Sequence, residues 1–275
     1  MEKRLVDRLL PPKVMTLPNG KTVNKSRSIA PFIFILVLIA FYYSVQLTGF
    51  DPSVLAKRGK QFFVILSKMT PPNWKFFNSV IGPLFDTIKM SILGTLIGAF
   101  LAIPFSMIAS INLTHNRWLS GTMKFLLSLI RTMPTLVTAL ILTYIFGLGT
   151  FAGTVAIAIF TFSFIGKQLY ELIETVDMLP YEAMEALGAT KLQSFVAAIQ
   201  PQVLPSYLSA SLYTFEGNVR HAAILGYVGA GGLGIILNEN LSWREYANVG
   251  MILLCLFVTV AIIELTSGYL RKRLT

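Results

Sequence analysis

The sequence predicts an all-α integral membrane protein whose helices cross the bilayer six times. Three observations carry this. Of the 275 residues, 54% are hydrophobic and only 13% charged, with a mean hydropathy of +0.66, which is too apolar for an ordinary soluble domain. Five to six runs approach the ~20 apolar residues that a helix needs to cross the hydrocarbon. Lysines and arginines gather between alternate runs, as the positive-inside rule requires. The net charge of +10 is therefore a topology signal, and no nucleic-acid partner is expected. A single cysteine, Cys255, rules out an intrachain disulfide and a cysteine-built metal site.

Residues 1–28 carry seven basic residues against Glu2 and Asp7, with Pro11, Pro12, Pro18 and Gly20 interrupting any long helix. They read as a cytoplasmic tail. Residues 29–48 form the first span, too long for a signal peptide and without a small-residue cleavage pattern. Residues 49–83 form an extracytoplasmic connection in which Lys57, Arg58, Lys60, Lys68 and Lys75 interleave with Val54, Leu55, Phe62, Phe63, Ile65 and Leu66. That pattern suggests a basic amphipathic helix on the outer membrane surface. It is held there by lipid headgroups, or it offers a basic rim to an anionic substrate or a docking protein.

The core runs over 84–275. Its first span, Leu84 to Ala109, places Gly94, Gly98 and Ala102 four residues apart, a small-residue face for close helix packing. The next, Phe125 to Phe146, contains Arg131 and a ladder-breaking Pro134. The span from Thr154 to Gly166 continues towards Tyr170 and is expected to be short. Ser206 to Leu237 carries Glu216, Asn218, Arg220 and His221, followed by five glycines between Gly226 and Gly234. Ionisable groups at this depth face partners or a wet cavity, and Glu216 and Arg220 stand one helical turn apart. They form a structural ion pair or they touch substrate. The glycine cluster lacks the preceding strand of a dinucleotide loop and reads as a broken helix with exposed amides. The last span, Val249 to Gly268, ends in Arg271, Lys272 and Arg273. With both termini inside, most of the 23 basic residues lie on the cytoplasmic side.

Between the fourth and fifth spans lies a polar stretch, 177–205, that cannot itself be a span. Pro180 and Glu182 suit a first helical turn and Gly188 a left-handed stop, giving a helix from about Tyr181 to Leu187. Thr190 with Gln193 forms a capping-box pattern that opens a second helix. Leu192, Phe195, Val196 and Ile199 should share one face of it before Pro201 ends it.

That layout resembles the EAA loop of ABC importer permeases, with Glu182, Ala183, Gly188 and Pro201 at the family's spacing; Met184, Ala198 and Gln200 depart from it but keep helix propensity and volume. The strings RTMPTLVTALILTYIFGLGTFAG and SLYTFEGNVRHAAILGYVGAGGLG extend the resemblance from about Leu84 to the C-terminus. Together they are similar to permeases of phosphonate-type importers. The resemblance implies a six-helix type I ABC importer permease bundle with a cytoplasmic coupling helix. It also implies ATPase contacts at Glu182, Ala183, Glu185, Gly188, Ala189 and Pro201. The partners it implies are a cytoplasmic ABC ATPase dimer, an extracytoplasmic phosphonate-binding protein and a second copy of the chain, all at a lipid membrane. A translocation path is expected near Glu216, Asn218, Arg220, His221 and Arg131. Neither cofactor nor metal is expected, because no nucleophile with its base, metal-ligand spacing or phosphate loop is found. A permease for another small solute such as methionine stands as the alternative within the class, and an ion-coupled secondary transporter as the alternative outside it.

Overall fold

The computed structural model describes residues 13–16, 20–25 and 30–274; the rest of the expected N-terminal tail lies outside the described residues. The chain divides into two compact units at Phe63/Val64. In the first, β1 (Lys13–Thr16) pairs antiparallel with β2 (Thr22–Lys25). Helix α1 (Ala30–Thr48) occupies the stretch expected to form the first span. Helix α2 (Pro52–Lys68) occupies the stretch expected to form a basic amphipathic helix and runs across the boundary between units.

The second unit is a helical bundle: α3 (Phe77–Ala109), α4 (Arg117–Thr132), α5 (Thr135–Phe146), α6 (Thr150–Thr175), α7 (Leu179–Ala186), α8 (Lys191–Ser194), α9 (Gln200–Leu225), α10 (Leu233–Ser242) and α11 (Tyr246–Leu274). Among the described residues, α3, α6 and α11 are each long and apolar enough to cross a membrane. The pairs α1 with α2, α4 with α5, and α9 with α10 bring the total to six when each bent pair counts as one crossing.

Helices α3 and α6 run parallel and form the spine. A methyl group on Gly94 would lie 2.7 Å from Ile157, and one on Gly98 would lie 2.5 Å from the carbonyl oxygen of Ala158. Ala102 is fully buried. The small-residue stripe thus packs as its spacing predicts, because only side chains this small let two helices meet backbone to backbone. Ser106 adds a hydroxyl donated across the contact to Gly166 O at 2.9 Å.

The third span does break at Pro134 as its proline suggests, α4 and α5 meeting at 87° across Met133 and Pro134. Several other expectations are corrected. The fourth span is uninterrupted over 26 residues; Gly153 and Gly166 do not shorten it because both sit at close helix contacts. Pro201 does not end the second loop helix. The chain stays helical because Phe195–Ile199 forms a π turn, in which the Gln200 N–H reaches back to Phe195 O. The wider turn relieves the clash that a proline ring makes with the preceding turn. The same extra residue rotates the apolar set, so Phe195 and Ile199 are buried while Leu192 and Val196 stay exposed. Finally, the glycine turn does not expose its amides. Residues 230–234 are buried, the Leu233 N–H donates to Thr87 Oγ1 at 2.8 Å, and Gly226 meets Gly234 backbone to backbone.

Candidate functional site

The polar loop rises from one end of the bundle. Asp177 Oδ1 accepts from the Leu179 N–H at 3.0 Å, satisfying a donor that the start of α7 leaves open, and Pro180 occupies the first turn. Helix α7 ends at Gly188, whose φ of +89° suits a residue without a Cβ. There the Gly188 N–H donates to Glu185 O at 2.9 Å and the Ala189 N–H to Met184 O at 3.1 Å. The predicted capping box is present: the Thr190 N–H donates to Gln193 Oε1 at 2.9 Å and the Gln193 N–H to Thr190 Oγ1 at 3.4 Å.

What fixes the loop to the bundle is an apolar footing and one glutamine. Tyr181, Phe195, Ala198, Ile199 and Val203 pack with Leu169 and Ile173 of α6. Gln202 receives the Asp177 N–H on Oε1 at 3.2 Å and donates Nε2 to Asp177 O at 3.1 Å, tying the loop's first residue to α9. Sequence reasoning passed over Gln202, because a reciprocal bond across 25 residues has no local signature. Burial pushes the Tyr181 phenol above its ordinary pKa, and the hydrogen bond it donates to Glu185 Oε1 at 3.1 Å adds to the shift.

The outer surface of the loop is free of the bundle. Glu182, Ala183, Glu185 and Gly188 are exposed and Ala189 is half-buried. Leu187, at 85% exposure, stands at the tip beside them. Pro201 is exposed in the first turn of α9, on the footing and not on the tip.

A second feature is a seam between α6 and α9. On α9, Ser206, Ser209, Tyr213, Arg220 and His221 fall on one face at helical spacing. On α6, Phe160, Phe164, Gln168, Glu171 and Thr175 do the same. Near the loop end this seam holds an open cavity of about 590 Å³ with polar side chains in its lining. Farther along, the Arg131 guanidinium lies 5.2 Å from the Phe164 ring centre. Phe164 stacks on Phe160 at 5.7 Å, and Phe160 meets the His221 ring at 5.7 Å. Three of the five expected path residues, Arg131, Arg220 and His221, are exposed; the two phenylalanines link Arg131 to His221, whereas Arg220 turns to Glu216 and Glu264.

The other two are inside. Glu216 is buried and pairs with Arg220 one turn on, with Arg271 of α11 3.5 Å away. Asn218 is 1% exposed on the opposite face of α9, donating to Thr95 Oγ1 and Thr161 Oγ1, both at 2.8 Å. It knots α9 to the α3–α6 spine. Neither Phe160 nor Phe164 was singled out from sequence, where two phenylalanines in an apolar run look like any others.

A multi-span helical bundle, with a capped two-helix loop anchored at one end and a polar seam leading from it, defines a membrane transport subunit. Residues 94–275 match the family described as binding-protein-dependent transport system inner membrane component, and the chain belongs to that family. It is 33% identical over 240 residues to the phosphite transport system permease protein PtxC of Stutzerimonas stutzeri, covering 87% of this chain and 86% of that one. It is 35% identical over 214 residues to the phosphate-import permease protein PhnE of Mycolicibacterium smegmatis, covering 76% of this chain and 40% of that one. Among solved structures it matches a chain of the MetNI methionine ABC transporter in an inward-facing conformation with a TM-score of 0.65. That match is 20% identical over 74% of this chain and 99% of the other, and supports the shared fold alone.

Proposed function

We propose that this chain is the membrane-spanning subunit of an ATP-driven importer carrying phosphonate, or a related oxyanion such as phosphite or a phosphate ester, into the cytoplasm. The observation that carries this is the loop. It is rigidly footed on α6 and α9, yet it presents Ala183, Leu187 and the carboxylates Glu182 and Glu185 to the outside. Such a lever suits a cytoplasmic ATPase dimer, which closes on ATP and moves the loop as a body. The PtxC and PhnE relatives support a phosphorus oxyanion as the cargo.

In this reading both termini and the loop are cytoplasmic, residues 49–83 face outwards, and 84–275 carry the core. A second copy of the chain covers the seam. Arg131 and Arg220 stand exposed on spans, where an uncovered guanidinium is costly and so faces a wet path or a partner. A binding protein delivers the substrate to the outer mouth. The guanidiniums and His221 then offer it charge-assisted donors, enough to enter and too few to trap it. Bond making and breaking belong to the ATPase.

The test is ATP hydrolysis by the chain reconstituted with its ATPase, with and without a binding protein loaded with phosphonate or phosphite. Stimulation by the loaded protein is the expected result. Stimulation by methionine alone would replace the substrate, and uptake that follows an ion gradient without ATP would replace the class.

A further inference from the structure

The open cavity near the loop has a chemistry that the general notion of a path does not explain. It measures about 590 Å³ and is lined by Gln168 and Glu171 of α6, Ser206, Ser209 and Tyr213 of α9, and Arg271 of α11. One wall is cationic: the Arg271 guanidinium lies 5.5 Å from the Tyr213 ring centre and 3.5 Å from Glu216. The same lining carries an acceptor. Glu171 brings a carboxylate whose charge is partly offset by Lys167 at 3.6 Å. The hydroxyls of Ser206 and Ser209 both donate and accept.

A fully deprotonated oxyanion satisfies only the donors in this set. A phosphorus oxyanion that keeps one P–OH satisfies both: its charged oxygens face the guanidinium and hydroxyls, and its proton faces an acceptor. Sulfate has no proton to give near neutral pH and meets Glu171 as lone pair against lone pair. We infer that this cavity is an inner, cytoplasm-facing site for a singly protonated phosphorus oxyanion. Arg271 takes the negative oxygens, Glu171 accepts the P–OH, and sulfate is refused. The volume is many times the ~30 Å³ share of one water, so the ion binds with part of its hydration and leaves readily, as a release site requires. This rests on the importer reading above and assigns Arg271, otherwise one of the charges that set topology, to the substrate.

The test uses the full chain with its ATPase in lipid nanodiscs, without nucleotide. Inorganic phosphite is followed by phosphorus NMR line broadening, and sulfate enters as competitor. The wild type should bind phosphite at least about tenfold more tightly than sulfate. Arg271→Gln should weaken phosphite by about tenfold or more, the worth of a hydrogen bond to a charged group, and Arg271→Lys by less. Glu171→Leu should weaken phosphite while leaving sulfate unchanged or tighter, which a merely structural role would not do. If the Arg271 variants fail to assemble, Ser206→Ala with Ser209→Ala must still weaken phosphite. Equal binding of the two anions, or phosphite binding indifferent to these variants, overturns the inference. ATP-driven uptake by the wild type keeps the two proposals apart. If phosphite is taken up but the variants bind normally, only this site is lost; if no phosphorus oxyanion is taken up, the importer reading falls as well.

Discussion

Gln202 and Asp177 hold each other in a reciprocal pair: the Asp177 N–H donates to Gln202 Oε1 at 3.2 Å and Gln202 Nε2 returns a bond to Asp177 O at 3.1 Å. The same Nε2 reaches Ala198 O at 2.8 Å, so one amide clamps the entry of the loop, the π turn and the first turn of α9. Gln202→Leu keeps side-chain bulk and removes the clamp. Each exposed or half-exposed bond is worth about 1 kcal/mol, and the apolar footing of Phe195 and Ile199 remains. The bundle should therefore keep its thermal midpoint within a few degrees while hydrogen exchange at residues 178–190 accelerates and substrate-stimulated ATP hydrolysis falls. Unchanged exchange in that segment would show that the footing alone holds the loop.

Gly188 isolates a backbone effect. An added Cβ there meets nothing within 4 Å, and φ is +89°. The cost of a substitution is then conformational, about 1–2 kcal/mol for an ordinary L-residue. Asn, which tolerates the left-handed region, should be milder than Ala or Val. Coupling, measured as ATPase stimulation, should fall in the order Gly, Asn, Ala, Val with expression little changed. Equal effects of Asn and Val would point to a steric contact with the partner instead.

These loop features were legible because they are local. The Thr190 and Gln193 box spans three residues, Gly188 acts through its own φ, and the Gly94, Gly98 and Ala102 stripe repeats at helical spacing. What the sequence did not show depends on packing. Pro201 looks like a stop until Phe195 and Ile199 find α6 and pull the chain into a π turn. The cluster from Gly226 to Gly234 looks like a ligand loop until Thr87 and Thr150 occupy the space where side chains would be. Of the expected path residues, Arg131, Arg220 and His221 are exposed, whereas Asn218 faces the spine. From sequence alone the two faces of α9 are equally polar at that level.

The raised pKa of Tyr181 carries a pH dependence with a definite sign. Burial and then the bond to Glu185 favour the neutral phenol in the folded loop, so the folded value lies above the ordinary 10.0. That contribution is fully present below the unfolded pKa and is lost as pH rises through the folded one. Docking of the loop, followed by exchange or by a fluorophore at Leu187→Cys in a background without Cys255, should be flat from pH 6 to 9. It should weaken above about pH 10. Tyr181→Phe should remove this alkaline limb at the cost of the one hydrogen bond. A limb that persists in Tyr181→Phe would belong to another group.

Gly98 tests the spine. A methyl there would lie 2.5 Å from Ala158 O and 2.7 Å from the Thr161 Cβ, both fixed parts of α6. Gly98→Ala should therefore cost about 1–3 kcal/mol by overpacking. Gly82 in the same helix meets nothing within 4 Å, so Gly82→Ala should be neutral or stabilising by up to about 1 kcal/mol through helix propensity. Thermal unfolding of the two variants in the same detergent compares them directly, and equal midpoints would mean that α3 and α6 separate more easily than their contact implies.

Arg220 separates structure from transport because Glu216 has two arginines. Removing Arg220 leaves the buried carboxylate with Arg271 at 3.5 Å, so the large penalty for a buried charge without any partner is avoided. Arg220 itself is 51% exposed and also reaches Glu264 at 3.8 Å across to α11, a separation too long for a direct hydrogen bond. Arg220→Ala should accordingly express and assemble near wild-type levels. Substrate uptake should nonetheless fall, with Arg220→Lys intermediate, because a guanidinium on the seam can grip an oxyanion through two hydrogen bonds and an ammonium cannot. Glu216→Ala supplies the contrast: it leaves two arginines facing each other and should lose folded protein before it loses specific activity. Normal uptake by Arg220→Ala at normal expression would remove this residue from the path and leave Arg131 and His221 to carry it.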